Sequence, residues 1–132
     1  MSYDYVLDAS ALVLALIGKS EPAELLRQRL PRMRRHAPHL IDAEVGNVLR
    51  RHEQAGRIST NEAQVALLAG RELIELRYPH TGPLAELAWQ WRGNLSFYDA
   101  LYMALAFRLG VPLVTADAKL SKAPVACEVE VV

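Results

Sequence analysis

Cysteine is nearly absent from this 132-residue sequence: Cys127 stands alone, so no disulfide can close within the chain and no thiolate cluster can hold zinc. That usage fits a reducing cytosol, and the alternation of Cys127 with Val125 and Val129 predicts a packed strand residue. An excess of one charge is missing too. Lys plus Arg number 15 and Asp plus Glu 15, so bulk charge advertises no nucleic-acid partner and any such affinity has to be local. No apolar run is long enough to span a bilayer. The nearest approach, Val6 to Ile17, is interrupted by Asp8 and Ser10 and preceded by Asp4 without Lys or Arg, which argues against a secretory leader. A cytoplasmic protein with no membrane partner is expected. Internal repeats and low-complexity tracts are absent, and His36, His39, His52 and His80 lack the His-Glu-x-x-His spacing of a helix-borne zinc site.

What is present is an ordinary globular composition, 52% hydrophobic and 23% charged, in a length that suits one domain over 1–132. A strand entered at Tyr5 ends at Asp8 and turns into a helix that is capped by Ser10 or starts near it and closes at Gly18. Pro22 opens a second helix, with Glu21 and Glu24 in its first turn, and Pro31 stops it. His36-Ala37-Pro38 reads as a short edge strand because proline cannot donate to a ladder. From Leu40 to Ala55, Ile41, Val45, Val48, Leu49 and His52 recur at helical spacing, ended by Gly56. Ser59-Thr60-Asn61-Glu62 is a capping box for a helix to Ala69 with Gly70 past its end, pairing with the previous helix as a hairpin.

The second half alternates in the same way. Ile74, Leu76 and Tyr78 alternate with Glu75 and Arg77, as an outer strand does. Pro83 starts a helix with Leu84, Leu87, Ala88 and Trp91 on one face, ended by Gly93-Asn94; Trp89 falls on another face. Ser96 opens a helix through Leu109, followed by Gly110, a strand Val111–Thr115, a short helix after Asp117, and a last strand from Ala126 to Val132. Strands separated by helices predict an α/β fold with a mainly parallel sheet covered on both faces.

Asp8 and Asp117 each follow an apolar strand and precede a helix, and Asp99 stands three residues after Ser96. Each could simply cap a helix N-terminus. Together they gain meaning, because strand ends and helix starts of a right-handed parallel arrangement face one edge of the sheet. Glu44 caps nothing; it lies one turn from both Ile41 and Val48, at the border of the buried stripe. Clustered carboxylates repel, raise one another's pKa, and are tolerated where a cation neutralises them. Oxygen-only ligands favour Mg²⁺ or Mn²⁺, and the natural chemistry is metal-assisted phosphodiester cleavage.

Val6-Leu7-Asp8-Ala9-Ser10, Glu44-Val45-Gly46-Asn47-Val48-Leu49, Leu95-Ser96-Phe97-Tyr98-Asp99-Ala100-Leu101 and Leu113-Val114-Thr115-Ala116-Asp117, in this order and spacing, resemble the PIN domain and, more narrowly, the VapC-type toxins of bacterial toxin-antitoxin pairs. The resemblance runs over nearly the whole chain. It implies a three-layer α/β/α sandwich and a Mg²⁺- or Mn²⁺-dependent ribonuclease whose acidic quartet is Asp8, Glu44, Asp99 and Asp117, with Ser10 and Thr115 as helper hydroxyls. A homodimer held inactive by a cognate antitoxin, whose tail lies across the active-site groove, is implied in the same way. Where some members carry a further acidic residue, this chain has Lys119.

For an RNA substrate, Arg32, Arg34 and Arg35, extending Arg27 and Arg29, form a candidate phosphate-gripping rim, with Arg50 and Arg51 as further candidates. The same arginine run also fits a solvated helix end. Two other functions fit the pattern less well. A Mg²⁺-binding receiver domain needs a phosphoacceptor Asp after its middle strand, and Arg77-Tyr78-Pro79-His80-Thr81 offers none. A non-catalytic PIN-fold binding module would have no need of the complete carboxylate set. Asp4 and Asp42 match no motif and are expected at the surface.

Overall fold

The computed structural model describes residues 3–123 and 127–132. Its frame is a five-stranded sheet built from β1 (Asp4–Leu7), β2 (Arg34–Pro38), β3 (Leu76–Tyr78), β4 (Leu113–Thr115) and β5 (Val129–Val131), in the order β3-β2-β1-β4-β5. All neighbours run parallel, with Val6 opposite His36 on one side and Leu113 on the other. Parallel strands need crossovers, and the helices supply them: α1 (Ala9–Ile17), α2 (Glu21–Arg29), α3 (Leu40–Gln54), α4 (Thr60–Leu73), α5 (Pro83–Trp89) and α6 (Phe97–Leu109). Val6 and Leu7 point to opposite faces and both are fully buried, so helices cover the central strand on both sides. The expected α/β sandwich is the observed one.

The chain builds the sheet outward from β1 to β3, then returns past it to add β4 and β5. That reversal leaves a crevice beyond the carboxyl ends of β1 and β4, where ligands bind in open α/β sheets. Helix α6 supplies much of the core behind it, with every residue from Ala100 to Ala106 buried and contacts to β1, β2 and β4. Its left-handed C-terminal residue is Gly110 (φ 67°), a conformation that glycine adopts without strain.

Several boundaries differ from the sequence expectation for identifiable reasons. Strand β2 is internal, between β1 and β3, and not an edge. Pro38 is tolerated because it is the last residue of β2, and the next amide, His39 N, donates to Tyr78 O at 2.8 Å. Helix α4 continues past Gly70 to Leu73; a Cβ at Gly70 would meet Leu16 Cδ1 at 3.2 Å, so this glycine permits close helix packing and does not end the helix. Gly18 closes α1 in an extended conformation, and glycine is needed there for space: a Cβ would stand 2.4 Å from the Leu14 carbonyl oxygen and 2.7 Å from Ala23 Cβ. Helix α5 stops at Trp89, and turns carry the chain through Gly93 and Asn94. The final strand is shorter than 126–132, with Val125 and Ala126 outside the described residues. Cys127 precedes that strand, half-buried, its thiol 3.7 Å from Met103 Sδ.

Candidate active site

Asp8 follows β1 and caps α1, its Oδ1 accepting from Ala11 N at 2.9 Å. The cap is therefore Asp8 itself and not Ser10. The same oxygen accepts from the Ser10 hydroxyl at 2.6 Å, and Oδ2 accepts from the Thr115 hydroxyl at the end of β4. Both hydroxyl protons are thus spent on Asp8, and each hydroxyl oxygen accepts in turn: Ser10 from Ala116 N at 2.9 Å, Thr115 from Asp117 N at 3.0 Å. This lattice ties the start of α1 to the end of β4 and holds Asp8 and Asp117 in one frame. Thr115 is fully buried, behind the carboxylate it supports.

The other two acids come from helices. Glu44 projects from α3 beside the buried Ile41 and Val45, half-buried, and its Oε1 accepts from the Tyr102 hydroxyl at 2.5 Å. Asp99 lies in the first turn of α6, where its backbone N–H donates to the capping Ser96 hydroxyl at 3.1 Å. Asp8, Glu44, Asp99 and Asp117 all line a single cleft of about 350 Å³, together with Ala9, Ser10, Val13, Val48 and Tyr102. Tyr102 is the residue that sequence reasoning overlooked; its position three residues after Asp99, on the same helical face, was the available signal.

The electrostatics of the cleft are those of uncompensated like charge. Burial pushes the Asp8 carboxyl above its usual range and the Asp99 charge adds to this, outweighing the hydrogen bonds from Ser10, Thr115 and Ala11. Burial likewise raises Glu44, reinforced by Asp99 and Asp8 against the Tyr102 hydrogen bond. Asp99 is raised by burial and by Asp117, with Ser96 and Lys119 acting in the other direction. Burial, then the adjoining Glu44, pushes the Tyr102 phenol far upward, which keeps it a proton donor.

Among the described residues, oxygen is the only donor type in the polar side chains lining the cleft, with no His or Cys, and this set fits a hard divalent cation. Among the described residues, no three acidic, His or Cys side chains stand close enough together to grip an ion as they are placed. Asp8 and Glu44 instead direct oxygens to Ser10, Thr115 and Tyr102.

The PIN-domain family model matches residues 5–126. The chain belongs to the PIN-domain family. Within it, the similarity to VapC proteins is close: Ribonuclease VapC1 of Mycobacterium tuberculosis is 50% identical over 128 residues, covering 96% of both chains. Among solved structures, PAE2754 from Pyrobaculum aerophilum superposes with a TM-score of 0.73 at 27% identity, covering 98% of this chain and 92% of that one. VapBC2 from Rickettsia felis, bound to a DNA fragment from its promoter, shares the fold alone, with a TM-score of 0.72 at 14% identity over 98% of each chain.

The arginine rim expected from sequence does not assemble around this PIN-domain cleft. Arg34 opens β2 opposite Asp4, so it sits at the other edge of the sheet from Asp8, about 13 Å back along β1 at the usual strand rise. It approaches Asp4 at 3.8 Å. Arg35 spends its guanidinium on the carbonyls of Leu30, Met33 and Leu73 and on Glu75. Arg32, exposed, belongs to a separate recess with Arg29 and Glu130. Arg50 bonds along its own helix to Asn47 and Gln54. Arg51, exposed and seven residues after Glu44, shares the face of α3 that carries Glu44 and Val48. The sequence signal was real as charge, but the register of β2 turned most of it away from the site.

Proposed function

We propose that the protein is a metal-dependent endoribonuclease, the toxin component of a type II toxin-antitoxin pair. The observation that carries this reading is the convergence of Asp8, Glu44, Asp99 and Asp117, from four distant segments, on one cleft at the carboxyl edge of the sheet. The similarity to Ribonuclease VapC1 supports the same activity. Mg²⁺ or Mn²⁺ would be held by these four carboxylates. When bound, such an ion acts as a Lewis acid, strengthening water as a nucleophile and offsetting charge on the phosphate.

The chain's own residues supply the positioning. Ser10 and Thr115 fix both oxygens of Asp8, so its orientation does not depend on the ion. Tyr102 steers Glu44 from the neighbouring helix. Val13 and Val48 line the cleft beside the acids and limit water around them. An antitoxin partner and a homodimer belong to this proposal, as does a cytoplasmic location; among the described residues no helix is long and apolar enough to cross a membrane.

Incubating the purified protein with structured RNAs and Mn²⁺ tests the activity. Cleavage by the wild type, lost in Asp99→Asn and in Glu44→Gln while both remain folded by circular dichroism, is the expected result. Cleavage retained by either variant contradicts the site, and no cleavage by the wild type on any RNA favours a non-catalytic module.

A further inference from the structure

A cleft lined by carboxylates repels the polyanion it is proposed to cut, so strand affinity has to come from cations outside it. Several basic side chains are already engaged. Arg27 bonds Ala15 O, Gly18 O and Glu24; Arg29 pairs with Glu130, Arg35 with Glu75 and Arg77 with Asp42; Arg92 lies over Trp89. Beside the acidic cleft, and sharing Ser10 and Val13 with it, is an open recess of about 340 Å³ that also reaches Ala116, the neighbour of Asp117. Its polar rim is Lys19, His52 and Arg57, and its floor is aliphatic, including Ile17 and Ile58. Among the described residues, none of these three has a carboxylate within ion-pair distance. Glu62 feels the charge of Lys19, but its carboxylate is occupied capping α4.

We propose that this recess is a subsite for the nucleotide adjoining the cleaved phosphate, with Lys19 and Arg57 holding a backbone phosphate and the aliphatic floor carrying the base. The inference rests on the ribonuclease reading and extends it. Two features select a nucleotide over an apolar segment of protein: the recess continues directly from the acidic cleft, and its free charge is all positive above an aliphatic floor, which matches a nucleotide's charged phosphate and flat base. His52 adds a ring that can hydrogen-bond to sugar or base. None of these residues belongs to the acidic set, so they act as binding and positioning residues.

The test uses Asp99→Asn protein, which binds without cutting, and a short fluorescent single-stranded RNA of randomised sequence followed by anisotropy. Adding Lys19→Gln and Arg57→Gln is expected to weaken binding on the order of tenfold at moderate salt and to flatten the dependence of log affinity on log salt by about 0.7. Adding Arg32→Gln and Arg34→Gln, at the opposite sheet edge, leaves both nearly unchanged. In otherwise wild-type protein, Lys19→Gln with Arg57→Gln should raise KM with kcat largely kept, and leave unchanged whatever rise in melting temperature Mn²⁺ gives the wild type by binding the folded state. Unchanged affinity and salt slope in the Lys19/Arg57 variant, with the parent binding RNA, overturns the subsite and leaves the nuclease reading standing. Equal weakening by the Arg32/Arg34 variant also overturns it. Failure of the parent to bind RNA at all overturns both.

Discussion

The two edges of the sheet handle charge in opposite ways. At the amino edge, Arg34 meets Asp4, and Arg35 meets Glu75 at 3.2 Å while capping three carbonyls. Both of these arginines have a partner of opposite sign. At the carboxyl edge, Asp8, Glu44, Asp99 and Asp117 line one cleft, relieved by hydroxyls, by the backbone N–H groups of Ala11 and Lys119 and by the charge of Lys119. Paired charge stabilises locally and asks for nothing further; gathered like charge costs folding energy and is retained where something outside the chain compensates it. The difference separates a structural edge from a chemical one, although both edges read as charge clusters in sequence.

The largest expected contrast comes from substituting each edge in turn. Asp99→Asn should reduce RNA cleavage by at least about 10²-fold, since under the proposed function a carboxylate that would hold the cation is lost, while raising the melting temperature of the metal-free protein by relieving repulsion with Asp8 and Glu44. Single-turnover cleavage and calorimetry without metal check the two halves. Arg35→Ala does the reverse. It strands the carbonyls of Leu30, Met33 and Leu73 and should cost about 3 kcal/mol in denaturant unfolding, with cleavage by the folded fraction preserved. If Arg35→Ala removed activity and spared stability, the contrast between edges would be inverted.

Smaller effects sharpen the same contrast. Tyr102→Phe frees Glu44 from its hydrogen bond and should lower kcat several-fold with little change in fold, read by kinetics and circular dichroism. The pH dependence is smaller again. Asp8, Glu44 and Asp99 are raised in the folded protein above ordinary values of 3.8, 4.5 and 3.8, so the native state holds protons that the unfolded chain has released. Their contribution is therefore most favourable below those ordinary values and is lost as pH rises through the folded ones. In chelator, the melting temperature of Glu44→Gln should fall less than that of the wild type as pH rises from mildly acidic to neutral. A steeper fall would mean that Glu44 is compensated within the chain.

Much of this organisation was legible in sequence because it is local. Asp8 and Asp117 stand at strand-to-helix junctions, and in a parallel sheet such junctions share an edge whatever the strand order. Glu44 was legible through helical periodicity, as a polar residue where the buried stripe of α3 meets solvent. What was hidden depends on long-range pairing. Nothing near Pro38 tells that β3 adds outside β2 and makes it internal, and nothing in Arg32-Met33-Arg34-Arg35 tells that β2 starts there, which sends those charges to the far edge. Gly70 illustrates the same limit: it reads as a helix end, yet its meaning is the approach of Leu16 from α1.

Whether the four carboxylates act as one cation site decides the function proposed for the cleft. Titrating Mn²⁺ into the metal-free protein by calorimetry, for wild type, Glu44→Gln and Asp99→Asn, measures this directly. Saturable binding by the wild type that is weakened at least tenfold in both variants is the predicted result; wild-type affinity retained in the two variants, or no binding to the wild type, would contradict it.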